Sequence, residues 1–295
     1  MNSQREYARI PMPVQIITDS ACDLPQDEAK RLGVQVIPLT TCFGMDVYRD
    51  GVDLTNHQFF EKLEASKELP TTSQATPTEY ASYFKRAIDA GNEVLCITLS
   101  SCFSGCYQNA VSAQGCFGDK VYVLDSQAIC VEQMMVVKQA VRMRDEGMSA
   151  REIAQGLRRL KSRLRLFTVL DTLEYLRKGG RVSSLAAAAG SVLSIKPLIT
   201  ETGGNVKVIG KSRGMKNGAK ALAKEVAKCG GIDFDMPYTF AYSGTSRENL
   251  DKFLDSHPEV FEGKPREDLP AYCVGSIIGT HVGSNAFAVA FYAKQ

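Results

Sequence analysis

Three short runs of hydroxyl side chains stand where the chain changes direction: Thr72-Ser73, Ser100-Ser101 with Ser104, and Ser243 with Thr245 and Ser246. The middle run follows an apolar stretch, Val94-Leu95-Cys96-Ile97-Thr98-Leu99, and leads into Tyr107, Gln108, Ala110 and Val111. A buried strand that breaks at Ser-Ser and restarts as a helix leaves unpaired N–H groups at the positive end of a helix dipole. This corner therefore reads as an anion-accepting site. Taken singly, each hydroxyl run is a helix cap. Taken together, the runs can surround one anion, because hydroxyls hold a carboxylate without bringing a full opposite charge. His281 sits in Gly279-Thr280-His281-Val282-Gly283. Its flanking glycines permit close backbone approach. By itself the residue reads as a loop-capping histidine, yet an imidazole can donate to the same carboxylate.

Two other patterns fail on context. Gly210-Lys211-Ser212-Arg213-Gly214 fits the G-x-S-x-G elbow of serine hydrolases, but the strand before it is the return arm of a hairpin. The same segment resembles the end of a phosphate-binding loop, yet Asn205 replaces the first glycine and Val206-Lys207-Val208-Ile209 are strand formers. Lys211 and Arg213 remain as a basic turn able to meet an anionic group. Nine scattered cysteines, an odd number with no C-x-x-C pair, argue against both a disulfide framework and zinc. No cofactor and no metal is expected.

The elements that must position these residues follow from local signals. Val14–Thr18 reads as a buried strand, and a helix from about Leu24 to Leu32 has Asp23 as its cap and Pro25 in its first turn. Val34–Leu39 is a strand that Pro38 places near an edge, and Tyr48–Gly51 is a turn. Thr55 with Gln58, Thr76 with Glu79 and Ser149 with Glu152 have capping-box spacing. Leu69–Pro77 reads as a hydroxyl-rich loop. Strand ends Asp19-Ser20, Ser100-Ser101 and Asp125-Ser126 each feed a helix, which argues for a parallel sheet covered on both faces. After about Arg163 the pattern changes. Strands at Leu164–Val169, Pro197–Glu201, Val206–Ile209, Tyr238–Tyr242, Ala271–Val274 and Ala286–Tyr292 mix with helices, including an alanine-rich one over Leu185–Leu193. The expected architecture is α/β with two domains. Residues 1–13 form a loose leader. Residues 14–163 form a three-layer α/β/α domain with a parallel sheet. Residues 164–295 form a two-layer domain with a mixed sheet.

Composition narrows the function classes. The chain has 295 residues, 44% hydrophobic and 23% charged, with a net charge of +2, which is an ordinary globular balance. It lacks the long basic blocks that nucleic acid would require. The N-terminal residues lack the apolar core of a signal peptide, and the apolar runs are too short for stable membrane insertion, so a cytoplasmic location is expected.

Several motifs occur in order and together resemble the DegV family of bacterial lipid-binding proteins. They are Ile16-Ile17-Thr18-Asp19-Ser20, Pro70-Thr71-Thr72-Ser73-Gln74, Leu99-Ser100-Ser101 with Ser104-Gly105 and Tyr107-Gln108, Tyr175-Leu176-Arg177-Lys178-Gly179-Gly180-Arg181, and Gly279–Gly283. The likeness runs from about Val14 to Tyr292. It implies a long-chain fatty acid buried between two α/β domains. It also implies that the chain is a non-catalytic subunit that presents the carboxylate to an ATP-binding fatty acid kinase partner. By resemblance, Thr72, Ser73, Ser100, Ser101, Ser104 and His281 would bind the carboxylate. Arg213 would contact the head group or the partner, and Arg181 would serve a structural or partner-facing role. The chain departs from the family pattern at Ala75-Thr76-Pro77, at Cys102, Phe103 and Cys106 around the serine loop, and at Ser284. These departures bear on acyl-chain preference and kinase pairing more than on fold. Two alternatives stay open: a serine-dependent lipid ester hydrolase using Ser100 or Ser101 with His281 as base, and a binder of another small acid.

Overall fold

The computed structural model describes residues 13–181, 194–203 and 205–295. The expected leader, apart from Pro13, and the alanine-rich helix therefore lie outside the described residues.

The first half begins with β1 (Val14–Asp19), α1 (Gln26–Arg31) and β2 (Val34–Ile37), followed by a hairpin of β3 (Thr40–Phe43) and β4 (Asp46–Arg49). It continues through α2 (Asn56–Ala65), β5 (Thr71–Ser73), α3 (Pro77–Asp89), β6 (Glu93–Thr98), α4 (Cys106–Gln114), β7 (Val121–Asp125), α5 (Cys130–Asp145) and α6 (Ala150–Leu160). The three capping boxes form at Thr55, Thr76 and Ser149, each closing two orphan N–H groups at a helix start. One expectation is corrected here. The first helix starts at Gln26, with Pro25 rather than Asp23 at the cap. Asp23 takes a left-handed conformation, φ 57°, and its carboxylate turns to a distant backbone N–H at Gly275.

Four strands pair in parallel in the order β2-β1-β6-β7. Successive residues face opposite layers. Ile17, Val94 and Cys96 pack with Tyr80, Phe84 and Ala110 of α3 and α4. Ile16, Leu95 and Ile97 pack with Val131, Met134 and Ala154 of α5 and α6. β2 is an edge strand and ends before Pro38. Parts of the stretches read as a turn and a loop, Tyr48-Arg49 and Thr71–Ser73, belong by contrast to a small antiparallel sheet, β4-β3-β5. Its strands are only three or four residues long, too short to show a period.

The second half contains β8 (Leu164–Val169), α7 (Glu174–Lys178), β9 (Ile195–Thr202), β10 (Asn205–Arg213), α8 (Met215–Lys228), β11 (Tyr238–Tyr242), α9 (Glu248–Ser256), β12 (Ala271–Cys273), α10 (Ser276–Val282) and β13 (Phe287–Tyr292). Six strands form a mixed sheet ordered β10-β9-β8-β13-β11-β12, parallel only between β11 and β12. In β13, Phe287, Val289 and Phe291 pack with Leu222 of α8 and Phe253 of α9. Ala288, Ala290 and Tyr292 face the other way, toward α5. Eleven of the sixteen residues of α5 are buried, because this helix lies between the two large sheets and has little solvent face. The architecture is thus a three-layer α/β/α unit with a parallel sheet joined to a two-layer unit with a mixed sheet. No helix among the described residues is long and apolar enough to cross a membrane.

Candidate functional site

A cavity of about 370 Å³ lies between the two units. That is inside the range of roughly 300–1,000 Å³ typical of small-molecule sites. Its walls are largely apolar: Leu39 and Leu99 from the first unit, Ile129 at the start of α5, Ile277, Ile278 and Val282 from α10, and Leu166, Ile199, Ala241 and Ala288 from the mixed sheet. Polar side chains gather at one end, where Thr72, Ser73, Gln74, Ser104, Arg181 and His281 line the wall. β5 carries Thr72 and Ser73, and its pairing with β3 sets their position through Thr41 opposite Thr72.

His281 is the penultimate residue of a short helix, not a loop cap. Gly279 and Gly283 explain the motif. A Cβ at Gly279 would collide with the Phe59 ring and one at Gly283 with the Tyr175 ring. Gly179 makes room for His281 itself, since a Cβ there would strike Nδ1. His281 Nε2 lies 3.3 Å from Thr72 Oγ1, and Nδ1 is buried without a partner among the described residues. Burial, reinforced by the Arg181 charge, pushes the imidazole down to about 4. It is therefore neutral at physiological pH. With its proton on Nε2 it donates to Thr72, which leaves the Thr72 hydroxyl hydrogen free to donate into the cavity.

The serine corner is built differently from the expectation of open donors. Asp19 Oδ2 accepts from Leu99 N–H at 2.7 Å, and Asp125 accepts from Ser101 N–H at 3.2 Å and Ser101 Oγ at 2.5 Å. Ser100 N–H donates to the Ala128 carbonyl. Ser100 Oγ accepts from Cys102 N–H, and the Ser100 carbonyl accepts from Phe103 and Ser104 N–H. Gln74 Oε1 takes the Gly105 N–H at 2.7 Å, and Ser104 Oγ takes that of Cys106. Every backbone donor from Leu99 to Cys106 is thus consumed by the protein. Ser100 and Ser101 do not line the cavity; only Ser104 of this run does. In the third run, Ser243 reaches the wall with its Oγ accepting from Ala286 N–H, while Thr245 and Ser246 do not line it.

The two arginines lie in different surroundings. Arg213 is exposed at the end of β10, an edge strand whose odd-numbered side chains face solvent, and it lines no part of the cavity. Arg181 lines the polar end, steadied by its own hydrogen bond to the Gly179 carbonyl at 2.7 Å. Arg181, Thr72 and His281 also line a second, polar cleft of about 630 Å³, together with Lys67, Glu174 and Lys178. The polar end of the apolar cavity is therefore also a wall of this cleft. Among the described residues no group of three or more His, Cys, Asp or Glu side chains is placed to hold a metal ion.

Residues 13–294 match the family described as uncharacterised protein, DegV family. The chain belongs to the DegV family. A DegV domain-containing protein of Caldanaerobacter subterraneus is 34% identical over 287 residues, covering 95% of this chain and 99% of that one. A solved DegV family protein from Thermus thermophilus, described by its fatty acid binding, superposes with a TM-score of 0.86 at 30% identity, covering 96% of this chain and all of that one. A stearic-acid-binding protein from Eubacterium ventriosum superposes with a TM-score of 0.81 at 27% identity, covering 94% and 98% of the two chains.

In this DegV-family chain, the residues that seat α10 escaped the sequence reading. Asp50 Oδ1 accepts from Ser276 N–H at 2.8 Å and Ser276 Oγ at 2.7 Å, and Asp23 Oδ1 accepts from Gly275 N–H at 2.7 Å. A Cβ on Gly275 would stand 3.0 Å from Asp50 Oδ1 and 3.2 Å from Asp23 Oδ1, so any larger residue would need both carboxyls to give by a few tenths of an ångström. Burial pushes Asp23 up to about 8, with the charges of Asp50 and Asp19 adding to the effect. Asp23 is therefore a neutral carboxyl at physiological pH. No local pattern announces these contacts, because each partner lies more than 200 residues away in sequence.

Proposed function

We propose that this chain carries a long-chain fatty acid with its tail in the apolar cavity and its carboxylate at the polar end. The observation that carries this reading is an apolar volume with polar side chains gathered at one end: Thr72, Ser73 and Arg181 as donors, with Ser104 beside them and a neutral His281 that orients the Thr72 hydroxyl. The tail would supply affinity, roughly 0.8 kcal/mol for each buried CH₂, and the head would supply orientation. The solved relatives described as fatty-acid-binding support it. We further propose that the shared polar cleft exposes the carboxylate to an ATP-binding fatty acid kinase subunit, with Arg213 available on the outer strand to such a partner. On this reading the chain is not itself an enzyme.

The ester-hydrolase alternative needs a serine bonded to His281. Ser101 donates to Asp125 instead, Ser100 Oγ receives a backbone N–H, and the His281 contact goes to Thr72. Native mass spectrometry of the purified protein, followed by extraction and lipid identification, tests the carrier role. One fatty acid per chain is expected. A protein that is empty and takes up neither octadecanoic nor a cis-octadecenoic acid would overturn it. The kinase role is tested apart: a matched ATP-binding subunit with ATP should give acyl phosphate, and no product would sink that part while leaving the carrier reading intact.

A further inference from the structure

The floor of the cavity contains a hydroxyl that a plain acyl chain cannot use. Thr168 on β8 stands opposite Ile199 on β9 and Ala288 on β13, and Ala288 stands opposite Ala241 on β11. All four line the cavity. Strand alternation sets the direction of Thr168: Leu164 and Leu166 pack toward α5, while Phe167 and Val169 pack toward the outer helices. Thr168 is only 8% exposed.

Other buried threonines are all satisfied. Thr18 accepts from Gln133, Thr41 pairs with Ser276, and Thr98, Thr239 and Thr280 donate to backbone carbonyls. The buried serines likewise bond to neighbours. Thr168 Oγ1 has no hydrogen-bond partner among the described residues. It is not one of the fully enclosed atoms without a partner, so it opens to the cavity, where a plain acyl tail would strip its water without replacing it, a penalty that valine would not carry. The C-terminal end of β8 leads through Leu170 to α7 and Arg181 at the polar end, so Thr168 lies inward from the head and Leu166 deeper still.

We propose that the preferred ligand is a fatty acid with an oxygen substituent, a hydroxyl or keto group, part-way along its chain, held by a hydrogen bond to Thr168 Oγ1. The inference rests on the carrier reading and names its ligand class. An oxygen on the chain also loses water on binding, so it is tolerated only where it meets a partner. The signature is therefore dependence on position.

The experiment is displacement of a fluorescent fatty acid by octadecanoic acid and by monohydroxylated octadecanoic acids that move the hydroxyl along the chain. One isomer should bind about three- to tenfold more tightly than its neighbours in the series. Thr168→Val should lose that preference, and Thr168→Ser should keep it. The proposal is overturned if the parent binds octadecanoic acid but shows no positional optimum, or if the optimum survives Thr168→Val. Binding of none of these acids would overturn the carrier reading, and this inference with it. Should the valine variant fail to fold, the isomer series on the parent decides alone.

Discussion

Replacing Asp23 by asparagine tests whether the contact that seats α10 is a neutral carboxyl. The Asp23→Asn side chain would keep the acceptor for Gly275 N–H, and its amide would replace Asp23 Oδ2, which is buried without a hydrogen-bond partner among the described residues. The unfolded carboxyl loses its proton near 3.8 and the folded one near about 8, chiefly because of burial. Between those values the folded state holds a proton that the unfolded state has released. Stability from this group is therefore complete at low pH and is lost as pH rises toward 8, at up to about 1.4 kcal/mol per pH unit. An amide has no such slope. The stability of Asp23→Asn minus that of the parent should rise by roughly 2.5 kcal/mol between about pH 5 and about pH 7, then level off above about pH 8. Urea unfolding followed by circular dichroism at a series of pH values measures this difference. Glu132 and His281, which are not among the causes of the Asp23 shift, titrate in both proteins and largely cancel, whereas Asp50 and Asp19 bear on Asp23 directly and soften the slope. A difference that stays flat, or that falls with rising pH, would refute the neutral-carboxyl argument and mean that Asp23 is ionised in the fold.

Two further outcomes follow from the cavity. Gly179→Ala is compatible with the backbone there, φ −71°, but its methyl would meet His281 Nδ1. Fatty acid affinity should fall about tenfold with the circular dichroism spectrum unchanged, and unaltered affinity would remove His281 from the head-binding role. Ala288→Phe would fill the floor between Thr168 and Ala241, excluding roughly three or four methylenes. Octadecanoic acid binding should weaken roughly a hundredfold in probe displacement, and an unchanged constant would place the tail elsewhere.

Much of the frame was legible because its signals are local. The capping boxes at Thr55, Thr76 and Ser149 each involve residues three apart, and all three form. The alternation in Phe287–Tyr292 marks a strand with two different faces, and the mixed sheet uses both. What stayed hidden was short or distant. The three-stranded sheet has no periodic run, and α10 carries an interior glycine, usually a helix breaker, which packing against Phe59 requires.

By itself the sequence determined the order of the longer strands and helices and the hydroxyl and glycine motifs that surround the cavity, since propensity, capping and period act within a few residues. Tertiary structure alone decided which polar groups face that cavity. Asp19 and Asp125, from neighbouring strands, claim the donors around Ser100 and Ser101 and leave Ser104 on the wall. Arg181 rather than Arg213 reaches the polar end, because one follows a helix packed beside α10 and the other ends an exposed edge strand. The direction of a polar side chain is set by the partner that satisfies it through space, and that partner has no fixed distance along the chain.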